Sequence, residues 1–240
     1  ELDKPDPDAG ASKQRFALEL KFGPYVPSVD AASSGGELGP YATIFGKQDE
    51  NGVATDQPKP GVYSVISFEW QFANFAGPLS IGTQVGFFRD KANALLANPP
   101  DENVRSEADE VTFLVVPMAV LLGYRFEWLA DKHRVPFVPY ARGGVAYGLW
   151  WSKDGSGEVS TNDAGDEGRG GSVGWQANLG LMLQLDFIDR GSAGALDRHT
   201  GINHTYVFGE YQISRLDGFG SGNRMSVGDD TYMLGLAIEF

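Results

Sequence analysis

The chain has no cysteine, and this excludes disulfides, thiolate metal sites and cysteine nucleophiles. It also lacks any run of about 18 apolar residues, the length a transmembrane helix requires, so helical membrane spans are not expected. Lys and Arg are scarce, 19 against 32 Asp and Glu, and the net charge is −13. Binding to nucleic acid needs a basic face for phosphate contacts, so no nucleic-acid partner is expected.

Glycine and aromatic residues are abundant, with 32 Gly and 12% aromatic residues, a combination typical of β-structure with many turns. Apolar and polar residues alternate with period two in segments of about ten residues or more, the pattern of strands with one apolar face. The sequence contains about eight such segments, at 15–24, 62–72, 78–88, 111–127, 137–151, 173–187, 202–213 and 231–240.

The faces are clearest in segment 173–187, where Val, Trp, Leu and Phe alternate with Gly, Gln and Asn. Segment 202–213 is ambiguous, and we favour the phase that puts Val207, Tyr211 and Ile213 on the apolar face and Glu210 on the polar face. A helical turn is a further prediction at 92–97, and another at 192–199.

Connections between the segments alternate in length. Long, polar connections lie near 25–61, 90–109, 152–171 and 214–230, and shorter ones near 74–77, 129–136 and 189–201. Long external loops and short periplasmic turns are characteristic of outer-membrane barrels. We therefore predict an all-β protein: a closed antiparallel up-and-down transmembrane β-barrel of about eight strands at 15–240, with a flexible periplasmic tail at 1–14.

Alternation alone does not distinguish a membrane barrel from a soluble, lipocalin-like barrel with its apolar face inside. The polar faces here are rich in Gly, Ser, Gln and Asn and poor in Lys, which favours a crowded interior. Aromatic residues cluster at the predicted strand ends, as in the two girdles at membrane–water boundaries. The periplasmic set is Phe72, Tyr124, Phe126, Trp128, Phe187 and Phe240, and the external set is Phe22, Tyr25, Phe87, Phe88, Trp150, Trp151 and Trp175.

The last strand alternates up to Phe240 and resembles the C-terminal signal through which the barrel-assembly machinery recognises outer-membrane proteins. The segments 203–211 (NHTYVFGEY), 218–221 (GFGS) and 229–240 resemble a family of uncharacterised myxobacterial outer-membrane barrels. The rest of the chain is similar to the small barrels typified by the OmpA transmembrane domain. The resemblance implies a barrel fold and brings no known activity.

Ionisable residues recur on the predicted inward face. An eight-stranded barrel has room only for side chains inside, where a lone charge is costly, so we interpret them as a salt-bridge network that fills the lumen. A gated polar path for small solutes is the alternative. The predicted network is Glu19, Lys21, Glu69, Arg125, Glu127, Arg142, Asp186 and Glu239, joined by Glu210 in the favoured phase.

A catalytic centre is not indicated. His133, His199 and His204 all map to the periplasmic side, away from the outer-leaflet lipid that a Ser-His hydrolase would attack, so no enzyme activity and no cofactor are expected. Acidic groups in the loops suggest calcium binding, but their spacing matches no EF-hand or repeat motif. These groups are Asp101, Glu102, Glu107, Asp109, Glu110, Asp154, Glu158, Asp163, Asp166 and Glu167.

The sequence therefore predicts a non-enzymatic structural or surface-interaction scaffold in the bacterial outer membrane, acting through acidic external loops, with its signal peptide already removed. A narrow channel or hydrophobic-solute conduit, like the OmpW-type barrels, is the alternative, and a lipid-modifying enzyme is less favoured. The expected partners are outer-membrane lipids and lipopolysaccharide, the barrel-assembly machinery through the C-terminal strand, and an unidentified protein at the external loops.

Overall fold

A computed structural model describes residues 15–33, 37–95, 104–133, 135–162, 164–185, 202–222 and 224–240. The predicted tail at 1–14 and the predicted turn at 192–199 lie outside these residues. Short elements follow the first strand: a 3-10 turn (Ser28–Ala32), α1 (Pro40–Phe45) and a hairpin of β2 (Lys47–Gln48) and β3 (Ala54–Asp56). A second short helix, α2 (Trp128–His133), lies between β6 and β7. The long strands are β1 (Phe16–Tyr25), β4 (Gly61–Asn74), β5 (Pro78–Leu95), β6 (Arg105–Arg125), β7 (Phe137–Lys153), β8 (Arg169–Gln184), β9 (His204–Arg215) and β10 (Asp230–Glu239).

Within the described residues the eight long strands form one closed antiparallel barrel. Each pairs with its neighbour along the chain, and β10 closes the ring on β1 with Leu18 opposite Ile238 and Phe22 opposite Leu234. Closure leaves no free sheet edge, so every strand is paired on both sides, as a barrel in lipid requires. The predicted fold class is confirmed.

The two faces of the sheet have opposite chemistry. Outward side chains are apolar and exposed, such as Leu234 at 71% and Leu179 at 61%, whereas inward Lys21 and Glu19 are fully buried. A soluble barrel has its apolar face inside, so this order is that of a membrane barrel, and the lipocalin-like alternative is wrong. In β9 the favoured phase is correct, because Val207 is exposed and Glu210 is buried.

Strands β5 and β6 are longer than predicted. The connection expected at 90–109 is mostly strand, with Lys91 paired to Thr112 and Asn93 to Glu110, and a helical turn beginning at Ala92 is wrong. This hairpin extends beyond the apolar belt into water, where both faces are polar. The period-two signal that marks the other strands is therefore missing there.

The periplasmic connection between β4 and β5 is tight. Ala76 and Gly77 both adopt positive φ, 59° and 143°. At Gly77 an added Cβ would lie 2.0 Å from the carbonyl oxygen of Arg125, so this turn needs glycine for both conformation and space. No helix among the described residues is long and apolar enough to cross a membrane.

Candidate functional site

The periplasmic half of the lumen is built around two arginines. Arg142 of β7 reaches three carboxylates: Nη2 binds Glu19, Nε lies 2.6 Å from Oε1 of Glu69, and Nη1 lies 3.4 Å from Oε2 of Glu210. Its guanidinium also lies over the ring of Tyr140, 4.4 Å from the centroid. A single cation thus connects β1, β4 and β9 across the barrel.

Arg125 of β6 lies closer to the periplasmic end and binds an overlapping set. Its Nη2 is 2.9 Å from Oε2 of Glu69 and 3.2 Å from Oε1 of Glu19, and Nη1 binds Glu239 at the end of β10. Because Glu19 and Glu69 each contact both arginines, the pairs form one connected network and not a series of separate bridges.

Lys21 extends the network towards the external side. Its Nζ lies 2.5 Å from Oε1 of Glu210 and 3.3 Å from Oε1 of Gln84. Asn178 donates to Oε1 of Glu210 at 2.7 Å, and the hydroxyl of Tyr140 donates to Oε2 at 2.8 Å. Glu210 is thereby held by groups from β1, β7 and β8.

Polar groups also surround the lowest carboxylate. Gln71 donates to Oε1 of Glu239 at 2.7 Å, and the hydroxyl of Tyr206 donates to Oε2 at 3.0 Å. Glu127 is buried at this same end of the barrel, and Asp186 lies outside the described residues. We call the connected set the ionic network; its members are Glu19, Lys21, Glu69, Arg125, Arg142, Glu210 and Glu239.

The external half of the lumen is filled by rings instead of charges. Tyr25 packs against Tyr63 and Phe88, with centroids 4.8 Å apart in both pairs. Tyr41 of α1 belongs to the first external segment. Its ring enters the lumen from the external side and packs on the ring of Phe113, with centroids 5.5 Å apart. We call these five residues the aromatic cap, and it closes the external mouth.

Part of the predicted external girdle is wrong, because some of its residues belong to the inward-facing cap. Tyr25 and Phe88 were expected at the lipid boundary, but both are 1% exposed and point inward. Trp150 is also turned inward, where it packs on the ring of Phe113, 6.4 Å away. Adjacent residues of a strand point to opposite faces, so only one of Phe87 and Phe88, or of Trp150 and Trp151, can face lipid. Phe87 and Trp175 do face outward.

The predicted periplasmic aromatics that the structure describes lie at the other rim, and Phe187 lies outside the described residues. Phe72 and Phe240 are exposed on the barrel exterior, and Trp128 at the start of α2 stacks with Phe126, 6.4 Å between centroids. Tyr124 donates its hydroxyl to the carbonyl of Phe75 in the neighbouring turn, at 2.6 Å. An apolar ring with its polar end at the turn suits a membrane–water boundary.

External segments are fastened to the barrel by hydrogen bonds. Asp30 accepts from the backbone N–H groups of Tyr41 and Ala42, at 2.8 and 2.7 Å, and so holds the first turn of α1. Arg105 donates to the backbone carbonyls of Thr43 and Gly52 at 2.7 and 3.1 Å. The segment between β1 and β4 is therefore anchored to the β5–β6 hairpin.

The described residues leave little space beside the ionic network. A cavity of about 10 Å³ lies beside the ionic network, next to Glu69, Gln84 and Arg142. A single water molecule needs roughly 10–15 Å³ of such space, so this cavity holds one water at most. In the described part of the barrel, the ionic network thus occupies the periplasmic half of the lumen and the aromatic cap the external half.

Within the described residues no group of three or more His, Asp or Glu side chains is placed to hold a metal ion. His133 packs edge-on against Trp128, and His204 contacts the ring of Tyr206 at the start of β9. Both belong to the periplasmic end, and His199 lies outside the described residues.

We expect a pH-dependent contact at the external rim, made by the carboxyl group of Asp229. Its Oδ2 accepts from Val26 N–H at 2.9 Å; partial burial raises its pKa to about 6, opposed by this N–H and that of Asp230. A raised pKa means that the protonated form favours the folded segment. This stabilisation is complete below pH about 4 and is lost as the pH rises through about 6.

We therefore expect the amides of Ser28 and Val227, which bind Gly228 and Leu216, to be better protected from hydrogen exchange at pH 5 than at pH 7.5. Protection factors, corrected for intrinsic exchange, measure this. In Asp229→Asn the difference should disappear, and in the control Asp217→Asn it should remain. A pH difference that survives in Asp229→Asn would show that a group other than Asp229 causes it.

Comparison with known proteins gives similarity in architecture only. No protein-family model and no curated protein sequence matches the chain, so the resemblance to the myxobacterial family stays a prediction. Similar solved structures include OprG from Pseudomonas aeruginosa (14% identity, TM-score 0.49, 96% of this chain and 98% of that one covered). Others are Ail of Yersinia pestis in complex with the heparin analogue sucrose octasulfate (11%, 0.45, 95% and 100%) and Neisserial surface protein A (9%, 0.42, 96% and 99%).

Proposed function

We propose that the protein is a non-enzymatic barrel of the bacterial outer membrane that presents its external segments as a surface-interaction scaffold. The observation that carries this proposal is the lumen as the described residues form it: a charged network and a ring cluster occupy its two halves, and the cavity beside the network measures about 10 Å³. A barrel that solutes cannot cross can still bind partners through the polar groups of its external segments. The location is supported by the apolar exterior and the alternation of long and short connections.

The external segments have the properties of a preformed surface. Between β7 and β8 the chain forms a ladder, with bridges Lys153–Val159 and Thr161–Glu167. Asp154 caps its own turn by accepting from Ser156 N–H at 3.0 Å, and hydrogen bonding keeps its pKa below the usual range. Binding by a surface ordered in advance loses less conformational entropy, and the acidic balance suits a partner with a basic surface.

Conductance distinguishes the scaffold from the channel. We expect the protein inserted in a planar lipid bilayer to give no reproducible single-channel steps at neutral pH, because the ionic network and the aromatic cap fill the lumen. Folding of the protein used is verified separately by heat-modifiability: the unboiled protein should migrate faster than the boiled protein on a gel. Reproducible steps from heat-modifiable protein would instead establish a narrow channel and overturn the scaffold proposal.

A further inference from the structure

Cations on the barrel exterior are concentrated on one side. At the external ends of β5, β7 and β8, outward positions hold Arg89, Lys91, Lys153 and Arg169. Arg215 at the external end of β9 also faces outward, but both of its Nη atoms bind Asp230. On the other side of the barrel, the outward positions near the external ends of β10, β1 and β4 hold the apolar residues Tyr232, Phe22 and Val62, all exposed. We call the four cations the cationic face.

Strand register makes the cationic face compact. In one row across the sheet, Arg89 pairs with Leu114, Leu114 with Trp151, and Trp151 with Arg169. In the next row towards the outside, Lys91 pairs with Thr112, and Thr112 with Lys153. Neighbouring strands lie about 4.8 Å apart, so cations two strands apart are separated by roughly 10 Å.

The cationic face lies where the apolar belt ends. Phe87 precedes Arg89 on the same outward face and is 51% exposed, and Val173 follows Arg169 on β8 and is 43% exposed. Trp151 lies within the first row, between Leu114 and Arg169. Aromatic rings and cations at this height meet the lipid headgroups of the outer leaflet.

Carboxylates only partly neutralise the cationic face. Lys91 binds Glu110 at 2.5 Å and Arg169 binds Glu167, and both pairs are about half exposed, where ion pairs are weak. Arg89 and Lys153 have no carboxylate within ion-pair distance in the described part of the chain, although Arg89, after Lys91, helps to lower the pKa of Glu110. The nearby Asp154 is engaged by its own turn. The outward face therefore keeps an excess of positive charge on a protein whose net charge is −13.

We propose that the cationic face binds the phosphate groups of an anionic glycolipid of the outer leaflet, with the acyl chains along the apolar belt below and the headgroup over Trp151. This inference rests on the proposed outer-membrane location. Charge complementarity carries it: a phosphorylated headgroup supplies anions within direct reach of Arg89 and Lys153, which have no ion pair of their own in the described part of the chain. Lipid supplies the apolar contact for the exposed Phe87 and Val173.

Binding of purified bisphosphorylated lipid A to the protein in neutral detergent tests the proposal, with retained lipid counted by native mass spectrometry over a concentration series. Arg89→Gln with Lys153→Gln should weaken binding about 25-fold, because each cation near an anionic lipid surface contributes a factor of about five. The matched control, Lys47→Gln with Lys59→Gln, removes two external cations outside the cationic face and should bind like the wild type. Lipid A without phosphates should not displace bound detergent from the wild type or from the Arg89, Lys153 variant.

Unchanged lipid A binding by the Arg89, Lys153 variant overturns the proposal. Inorganic phosphate at equal concentration serves as a further probe, and competition by it at similar affinity would indicate a general anion site and overturn the lipid assignment. Heat-modifiability of every variant shows that the barrel is folded. Because conductance tests the closed scaffold independently, a failed lipid site and a failed scaffold give different results.

Discussion

Replacing Arg142 by Met is expected to lower the free energy of unfolding by about 3–5 kcal/mol. The substitution removes the cation that contacts Glu19, Glu69 and Glu210, all buried, while keeping a side chain of similar length. Each of these carboxylates keeps one other cation, Arg125 for Glu19 and Glu69 and Lys21 for Glu210. Four buried carboxylates, with Glu239, would however share only two cations, and uncompensated buried charge is costly. Urea unfolding in lipid vesicles, followed by tryptophan fluorescence and by heat-modifiability, measures the loss.

An exposed ion pair provides the control. Arg215 binds Asp230 through both Nη atoms, but these side chains are 44% and 34% exposed. Arg215→Met should therefore cost at most about 1 kcal/mol. If Arg142→Met and Arg215→Met lower the free energy of unfolding equally, burial does not explain the contribution of the ionic network to stability. In Arg142→Met, adding Glu19→Gln should restore part of the loss, because one of the stranded charges is removed.

Gly144→Ala is expected to destabilise the barrel by about 2–3 kcal/mol through overpacking. A Cβ at Gly144 would lie 2.1 Å from the carbonyl oxygen of Val120 and 3.0 Å from Cα of Leu121. Both are backbone atoms of β6, so no side-chain rotation can relieve the contact. The β6 and β7 backbones must instead move apart at a paired position.

The adjacent residue is the matched control. A Cβ at Gly143 would find its nearest neighbour, the carbonyl oxygen of Gln176, at 3.9 Å, which is ordinary contact. Gly143→Ala should leave stability within about 0.5 kcal/mol, or raise it slightly by restricting the unfolded chain. The same unfolding measurement applies to both variants. Equal losses at the two positions would show that glycine is needed on β7 for some reason other than space.

Local pattern was enough to predict which residues face inward. The side-chain period of a strand is two, so placing Leu122 outside also placed Arg125 inside, whatever the rest of the chain did. The apolar exterior and polar interior followed from the composition of the two faces. For the same reason Glu210 could be added to the lumen once the phase of β9 was chosen.

Local pattern could not predict which inward residues contact one another. Arg142 and Glu19 are separated by 123 positions in the chain and meet only because the closing of β10 on β1 completes the ring. Strand stagger decides which inward residues share a level of the lumen, and a shift of the register would change all these pairs. The sequence did not predict the aromatic cap, because Tyr25 and Phe88 are aromatic residues near strand ends, where girdle residues are also expected.

The sequence by itself determined the barrel, its inverted faces and the charged composition of its interior, because each depends on alternation within single strands. Only the tertiary structure decided that the charges form one network, that Tyr41 of α1 inserts into the mouth, and that four cations gather on one side of the exterior. These features depend on register and closure, which bring together residues from strands far apart in the chain. Side-chain volume then decides whether the enclosed space is open, and in the described part of the barrel side chains occupy both halves.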